Sequence, residues 1–377
     1  MSASLNEKLR TVKWGEFQIG EYFNKLELKF KKPFFDKELD VSKIKTEEFD
    51  IPVVNAKDGN NGIMYYGRSS DFESAEMTID IVNDGAVSTG NVYPQPQKTG
   101  VLYNAYLISP RFIVTRNILF FVSCAIQKSI KTKYGYEYKA SWDRVKKDSI
   151  QLPVKADETI DFDFMETFIA ELEAERIEEL SAYLKASGLD NYKLSKEEEQ
   201  ALENYSNITW DLFNLKTLYG ESTRGKRLKS EDRIPGTLPF VTAGEADEGV
   251  SALIGNPVEV FQKNTTTIDM FGSAKYRNYC YGGDDHVAVV HTENVPMKAA
   301  VFVTSACHKA AHTGKFDYGH NFYAKDADAL DIMLPVKDDQ PDYQTMELLI
   351  TAIHKLVIKD VVVYADRKID GTKQIIN

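Results

Sequence analysis

Between residues 157 and 187 the chain reads DETIDFDFMETFIAELEAERIEELSAYLKAS, where Phe164, Phe168, Leu172, Ile177, Leu180 and Leu184 recur at three-to-five-residue spacing among Glu and Ala. That period puts them on one face of a long amphipathic helix, with acidic residues in its first turns and Gly188 after its last. A second run, Met346, Leu349, Ile350, Ile353, Leu356, Val357, Val361 and Tyr364, predicts another long helix with a wider apolar stripe. Elsewhere the pattern changes to short alternating runs such as FDIPVVNA, MTIDIV and FIVTRNILFFVS, which predict strands joined by Gly-Asn and Asp-Gly turns. The stretch GLDNYKLSKEEEQALENYSN (188–207) reads as a polar linker carrying a short helix near 195–204.

The same landmarks occur twice in the same order. LPVK stands at 152–155 and again at 334–337, and FFVSCAIQKS (120–129) is echoed by VFVTSACHKA (301–310). MTIDIV (77–82) answers TTIDMF (266–271), and DIPVVNAKDGNNG (50–62) answers TLPFVTAGEADEG (237–249). Both copies open on a Trp-x-x-Phe-x-apolar stretch, VKWGEFQIG (12–20) and ITWDLFNLK (208–216). The offset is 196 at Trp14/Trp210, 187 at Pro52/Pro239, 189 at Ile79/Ile268 and 182 at Pro153/Pro335, a drift that loops absorb. Two divergent copies of one domain are therefore expected.

The expected fold class is α+β: globular repeats at 1–156 and 207–338, a spacer helix over 157–188, a linker over 189–206 and a closing helix over 339–368. Each long helix follows a repeat, so the two are expected to pack antiparallel in a pseudo-two-fold arrangement, the alternative being that each lies on its own repeat. Apolar positions left over would suit a partner protein. The helix faces concerned are Phe164, Phe168, Leu172, Ile177, Leu180 and Leu184 in the first, and Met346, Leu349, Ile350, Ile353, Leu356 and Val357 in the second.

Charge changes the picture once it is divided along the chain. The net charge is −11, yet residues 1–155 carry 23 Lys+Arg against 19 Asp+Glu, residues 156–204 carry 4 against 15, and residues 205–377 carry 19 against 23. The acidity belongs to the connector, and the first repeat is mildly basic. Cys124, Cys280 and Cys307 form no disulfide framework, and neither a signal peptide nor an 18-residue apolar span is evident, so a cytoplasmic setting is expected.

Catalytic patterns are missing. There is no Gly-rich phosphate loop, no G-x-G-x-x-G opening a helix, no adenine-methyltransferase tetrapeptide and no nuclease carboxylate cluster, which points to a non-catalytic chain. His308 and His312 share a helix face beside Cys307, but the H-E-x-x-H glutamate is absent and the first repeat has no matching ligands, so a surface or groove-lining pair is preferred over zinc. Asp284, Asp285 and His286 read as a turn, and no metal site is expected.

Basic and aromatic residues gather in loops instead. The candidates for nucleic-acid contact are Lys57, Asn60, Asn61, Lys128, Lys131, Lys133, Tyr134, Tyr136 and Lys139 in the first repeat. Those in the second are Arg224, Lys226, Arg227, Lys275, Arg277, Lys315, His320, Asn321 and Lys325. Lysine and arginine neutralise phosphates, while Tyr, Asn and Gln position the backbone and touch base edges.

Two repeats opening on Trp14, Phe17 and Ile19 or Trp210, Phe213 and Leu215, and closing on Ile150, Leu152 and Pro153 or Ile332, Leu334 and Pro335 before a long helix, resemble the specificity subunits of type I and related type IIB restriction-modification systems. The segment IDIVNDGAVSTGNVY (79–93) is similar to that family's inner strand-turn-strand. The resemblance implies that each repeat is a target recognition domain reading half of a bipartite site in double-stranded DNA. It also implies helices that set the gap and dock methyltransferase subunits, two of them by symmetry, with a restriction or translocase subunit as a further partner. S-adenosylmethionine, and Mg and ATP where a motor is present, would belong to those partners, leaving this chain without a cofactor. A spacer of about 28 residues at roughly 1.5 Å each spans about 42 Å, on the order of 12 base pairs between half-site centres. A tandem-repeat interaction or carbohydrate-binding protein is the alternative. The bases read, the exact gap and the oligomeric state do not follow from the sequence.

Overall fold

The computed structural model describes the backbone of residues 1–376 and the side chains of residues 1–371. It divides into two compact units, Met1–Leu180 with Arg367–Asn377, and Ser181–Asp366.

The first unit is closed by an antiparallel pair, β1 (Trp14–Gln18) on a later strand, Ser149–Pro153, with Trp14 opposite Pro153 and Phe17 opposite Ile150. Between them, β2 (Phe23–Lys25) edges a four-stranded sheet, and a second sheet contains β3 (Val41–Ser42), β4 (Ile51–Val54) and β5 (Ile63–Gly67). The chain then returns to the first sheet as β6 (Thr78–Val82) and β7 (Val92–Gln95), adds β8 (Gly100–Val101) to the second, parallel to β4, and completes the first with β9 (Ala105–Pro110). A helix, Arg116–Ile130, capped by the Thr115 hydroxyl, packs Ile118, Leu119, Val122 and Ile126 against Ile79, Ile81 and Ile108 to make the main core. The closing strand Ser149–Pro153 is β10.

The second unit repeats this order. Strand β11 (Trp210–Asn214) pairs with Asp331–Lys337, placing Trp210 opposite Pro335 and Phe213 opposite Ile332. Strands β12 (Thr223–Arg224), β13 (Pro235–Val241), β14 (Val250–Ile254), β15 (Val260–Phe261), β16 (Thr265–Asp269), β17 (Ala274–Arg277), β18 (Tyr281–Gly283) and β19 (Val287–Val290) follow, then the helix Met297–Ala311 and β20 (Asp331–Lys337). The sheet order β12-β19-β16-β17 matches β2-β9-β6-β7, and β18 runs parallel to β13 as β8 does to β4. The fourth strand of the other sheet differs: β3 is added beside β5 in the first unit, and β15 beside β18 in the second.

Side chains repeat as well as strands. Trp14 stacks on Phe121 at 6.3 Å, and Trp210 on Phe302 at 6.2 Å. Ile19 and Leu215, the residues after the entry strands, are both fully buried, and their N–H groups donate to Asp148 O and Leu330 O. In one respect the structure corrects the sequence alignment. Thr78 faces Gln95 where Thr265 faces Arg277, so Ile81, rather than Ile79, is the counterpart of Ile268, and Thr267 that of Asp80. The slip is two residues, which keeps every side chain on its own face of the sheet and so leaves the alternation unchanged.

Both long helices form, as Phe162–Ala186 and Tyr343–Ile376. Each starts at a capping aspartate whose own N–H donates to the proline of the exit strand: Asp161 to Pro153 O and Asp342 to Pro335 O. Their carboxylates accept from Phe164 N and Thr345 N. The first helix begins later than 157, because residues 154–160 fold back in a turn bridged between Val154 and Ile160. It ends where Gly188 takes a left-handed φ of 68° and Leu189 N donates to Leu184 O. The opening turns lie on their own repeats, Met165 and Phe168 in the first core and Met346 in the second. Farther along, Lys368 pairs with Glu173 inside the first unit at 2.8 Å. The linker helix is Lys196–Glu203, with a Ser195–Glu198 capping box, and Glu198 also meets Lys355 at 2.8 Å within the second unit. Of the second helix's predicted apolar face, Met346, Leu349 and Ile350 are buried, whereas Ile353, Leu356, Val357 and Val361 are exposed.

Leu152 and Leu334 occupy equivalent, fully buried places in the exit strands. Each changed singly to alanine should lower the unfolding free energy by about 2–5 kcal/mol. Urea denaturation of the two variants checks this, and a cost below 1 kcal/mol for either would show that its exit strand does not close its domain.

Candidate nucleic-acid interface

In the first unit four loops are tied together: 55–62 between β4 and β5, 83–91 between β6 and β7, 102–104 between β8 and β9, and 131–141 after the helix Arg116–Ile130. Asn91 Nδ2 donates to Asp58 (2.8 Å), Gly59 N donates to Tyr93 Oη (3.0 Å), Asn104 N to Asn55 Oδ1 (3.1 Å) and Ala140 N to Asn83 O (3.1 Å). Lys139 pairs with Asp84 and lies over the exposed Tyr136 ring at 4.6 Å. The result is one surface bearing Lys57, Asn60, Val87, Tyr103, Tyr136 and Lys139. Asn60 and Asn61 sit at φ 47° and 51°, where Asn is tolerated better than most residues. Their amides donate to Ile63 O and Pro94 O, so both shape the loop.

The structure corrects several sequence candidates. Tyr134 is buried and its hydroxyl donates to Asp148, which also holds Lys133 at 2.8 Å, so this pair serves the fold. Lys131 turns inward to Val87 O (2.7 Å) and Thr89 O (3.2 Å). Lys128 is exposed on the helix itself. Sequence reading could not foresee these ends, because a lysine reads alike whether it finds water or a carbonyl.

The equivalent loops of the second unit are 242–249, 270–273, 284–286 and 312–323, tied by Gly244 N to Asp269 (3.2 Å), Phe322 N to Met270 O (2.9 Å) and Asp284 N to Val241 O (2.9 Å). Their charge is different. The first unit's four loops hold four lysines against three carboxylates, while these hold Lys315 against Glu245, Asp247, Glu248, Asp284, Asp285 and Asp317. Basic residues arrive instead on the stretch 225–234, where Leu228 N donates to Asp284 (3.3 Å) and a cavity of about 390 Å³ is lined by Arg227, Lys229, Arg233 and Asp284. Lys226 is exposed beside them, and Arg224 lies 5.9 Å over the Tyr323 ring near exposed Lys325. Lys275 is occupied by Glu245 (3.3 Å), and Lys315 and His320 are exposed. Asn321 donates to Tyr323 Oη at 3.2 Å.

Arg277 is not on the surface at all. It is 1% exposed, donating to Thr267 Oγ1 (2.9 Å) and Tyr279 Oη (3.0 Å). Its counterpart space in the first unit holds Asp80. A Cβ built on left-handed Gly62 would strike Asp80 Oδ2 at 2.4 Å, and one on left-handed Gly249 would approach Arg277 at 3.8 Å. Asp80 is fully buried, and among the described residues neither of its oxygens has a hydrogen-bond partner. Burial therefore pushes its carboxyl well above the usual range and keeps it protonated.

The histidines are spent on the backbone. His308 Nδ1 receives the Ala274 N–H (3.2 Å), His312 Nδ1 lies 3.2 Å from Phe271 O, and Cys307 is buried in the core. Asp284, Asp285 and His286 do bring ligand atoms within 4.8 Å of one another, but His286 is paired with Asp285 at 3.1 Å.

Residues 11–182 match the family model for the type I restriction modification DNA specificity domain. Over 360 residues the chain is 26% identical to S.BcgI, the specificity subunit of a type II restriction enzyme from Heyndrickxia coagulans, covering 92% of this chain and 96% of that one. Both matches are to specificity components of restriction-modification systems. Its fold is similar to the S subunit of a type I restriction-modification system from M. genitalium, with a TM-score of 0.58 at 15% identity over 97% of this chain and 94% of that one. Among the described residues, no helix is long and apolar enough to cross a membrane.

Asp80 makes stability depend on pH with a definite sign. Its native carboxyl holds a proton that the unfolded chain releases near pH 4, so stability falls as pH rises above that value and up through the native pKa. Asp80→Asn keeps the shape and removes the titration. The melting temperature of this variant should gain on the wild type between pH 5 and 9, and parallel curves would show that Asp80 is not protonated in the native chain.

Proposed function

We propose that this chain is the DNA specificity subunit of a restriction-modification complex, each repeat recognising one half of a bipartite double-stranded target. The carrying observation is the duplicated frame. Entry and exit strands pair in the same register, at Trp14/Pro153 and Trp210/Pro335, and each frame launches a long helix from an equivalent aspartate. Two frames of one design with different loops suit a target of two unlike halves. DNA and methyltransferase are the partners of such a subunit, and the chain contributes recognition to the complex.

Finer features extend that reading. The candidate contacts in the first domain reduce to Lys57, Asn60, Tyr136 and Lys139. The second domain's phosphate contacts come from Arg224, Lys226, Arg227 and Lys325, since its remaining loops are acidic. A 25-residue helix is about 38 Å long and serves as the ruler for the gap, on the order of 11 base pairs. Two methyltransferase subunits, one for each half of the pseudo-symmetric chain, bring S-adenosylmethionine. A restriction or translocase subunit brings Mg and ATP where the system has one. The assembly works in the cytoplasm, where DNA is. Ile353, Leu356, Val357 and Val361 recur at helical spacing on the outer face of the closing helix, and this stripe is the methyltransferase docking surface.

Selection from random duplex DNA, using the chain co-expressed with its methyltransferase at near-physiological salt, should return a split motif with a fixed gap. Exchange of residues 207–338 for those of another such subunit should alter one half of that motif only. An assembled complex that enriches nothing would favour a tandem-repeat interaction or carbohydrate-binding protein, and a change in both halves would refute independent reading.

Leu356→Asp with Val357→Asp should abolish co-purification of the methyltransferase and leave the melting temperature within a few degrees of wild type, because both side chains are exposed. Undiminished co-purification would place the docking surface elsewhere.

A further inference from the structure

The loop between β6 and β7 ends in a turn that contradicts the usual chemistry of turns. Its outermost side chain is Val87, 80% exposed, where polar residues or glycine are the rule. The backbone beneath it is held from several sides. Gly85 N donates to Thr89 Oγ1 (3.0 Å), Ser88 N and Oγ both donate to Gly85 O (3.0 and 2.9 Å), and Ser88 and Thr89 are buried. Ala86 sits at φ 51°, a left-handed conformation that costs a residue with a Cβ and persists only where its surroundings enforce it. Lys131, the residue that caps the helix Arg116–Ile130, completes the brace through Val87 O and Thr89 O.

The second domain has the same device in different residues. Its β16–β17 turn carries Phe271, whose N–H donates to Asp269 Oδ1 (3.0 Å) and whose carbonyl lies 3.2 Å from His312 Nδ1. His312 is the cap of the helix Met297–Ala311, the counterpart of Lys131. The Phe271 ring meets Tyr318 edge-on at 5.2 Å, and Tyr318 is 87% exposed. In both domains, then, the residue capping the core helix pins the carbonyl of an apolar turn tip. A lone exposed valine needs no explanation, but a tip braced alike in two diverged repeats does.

Resting on the specificity-subunit reading, we propose that these pinned tips are base-contacting elements, and that Val87 reads the 5-methyl group of a thymine in the first half-site. The tip stands among the loops that carry Lys57 and Lys139, as the Asp84–Lys139 pair and the close approach of Gly85 to Ala56 show. In the major groove the apolar group presented by a base edge is the thymine methyl, and an aliphatic side chain is its natural partner. Lys131 is a positioning residue: its ammonium is directed to two carbonyls and sets where Val87 stands.

The test uses the full complex and the duplex it selects. Each thymine of the first half-site is replaced in turn by uracil, which lacks only the methyl group, and binding is measured for wild type and Val87→Ala. One position should weaken wild type by about fourfold on loss of the methyl, and Val87→Ala should bind both duplexes alike. Lys131→Met should lose the same discrimination with an unchanged salt dependence, and Lys131→Arg should restore it. A first half-site without thymine, or equal responses of wild type and Val87→Ala at every thymine, overturns the assignment. A Lys131→Met variant that keeps the discrimination but has a shallower salt dependence overturns the bracing role and makes Lys131 a phosphate contact. Failure of the wild-type complex to select any split motif is a different result, since it removes the specificity reading itself.

Discussion

Each domain depends on five residues of antiparallel pairing between the strand that enters it and the strand that leaves. This closure fixes both ends of a long, loop-rich segment at one place. The segment between can then gain or lose residues at small cost, because loop entropy grows only slowly with length. The offset between the copies drifts from 196 at the entry tryptophans to 182 at the exit prolines, yet the register at the two ends is unchanged. The entry tryptophan joins the closure to the core helix by stacking on Phe121 or Phe302, and the aspartate after the exit strand starts the long helix. Loop surface, core and long helix thus share one anchor, and loops can diverge without moving it.

What lies beneath those loops has diverged too. Where the second domain buries Arg277 with Thr267 and Tyr279 as acceptors, the first buries the unpartnered acid Asp80. A guanidinium cannot shed its charge, so it takes hydrogen bonds; a carboxyl can, so burial leaves it neutral. The loops above follow opposite electrostatics, with four lysines against three carboxylates in the first domain and a carboxylate excess in the second. A carboxylate is repelled by phosphate but accepts from a cytosine amino group, whereas the basic residues of 225–234 would attract phosphate, so the two chemistries are kept on separate segments of the second domain. One frame therefore supports two surfaces of different chemistry.

Much of this was legible in the sequence. Trp14, Phe17, Ile150 and Pro153 are recognisable by order and alternation, and the structure pairs them with each other; the long helices follow from helical period and end residues, while the short linker helix is legible only as a stretch near 195–204 whose capping box the structure supplies. The sequence aligns β6 with β16 two residues out of step, because a slip of two preserves alternation and so leaves no trace in the pattern. Arg277 and Tyr134 read as surface residues in the sequence, since composition does not say which way a strand residue points or which distant carboxylate awaits a tyrosine. The sequence does carry one signal of what lies beneath the loops: Asp80 interrupts the apolar run of a strand with no basic residue nearby in sequence, the mark of a buried carboxyl position.

The acidic connector also looks different once its partners are known. Read linearly, its carboxylates argue against DNA. Within the first unit, however, Lys8 meets Glu171, the terminal amine meets Glu175 at 3.4 Å, and both Arg116 and Lys368 meet Glu173. Burial pushes the Glu173 carboxyl up, but Lys368 and Arg116 outweigh it and hold it below its usual range. Such pairs contribute little stability one by one, on the order of 0–1 kcal/mol each at a surface. Their larger effect is on the field: an ion pair falls off with distance far faster than a lone carboxylate, and screening at physiological salt removes most of what remains beyond about 8 Å. The net charge of −11 therefore overstates the repulsion that a DNA backbone would meet near the first domain.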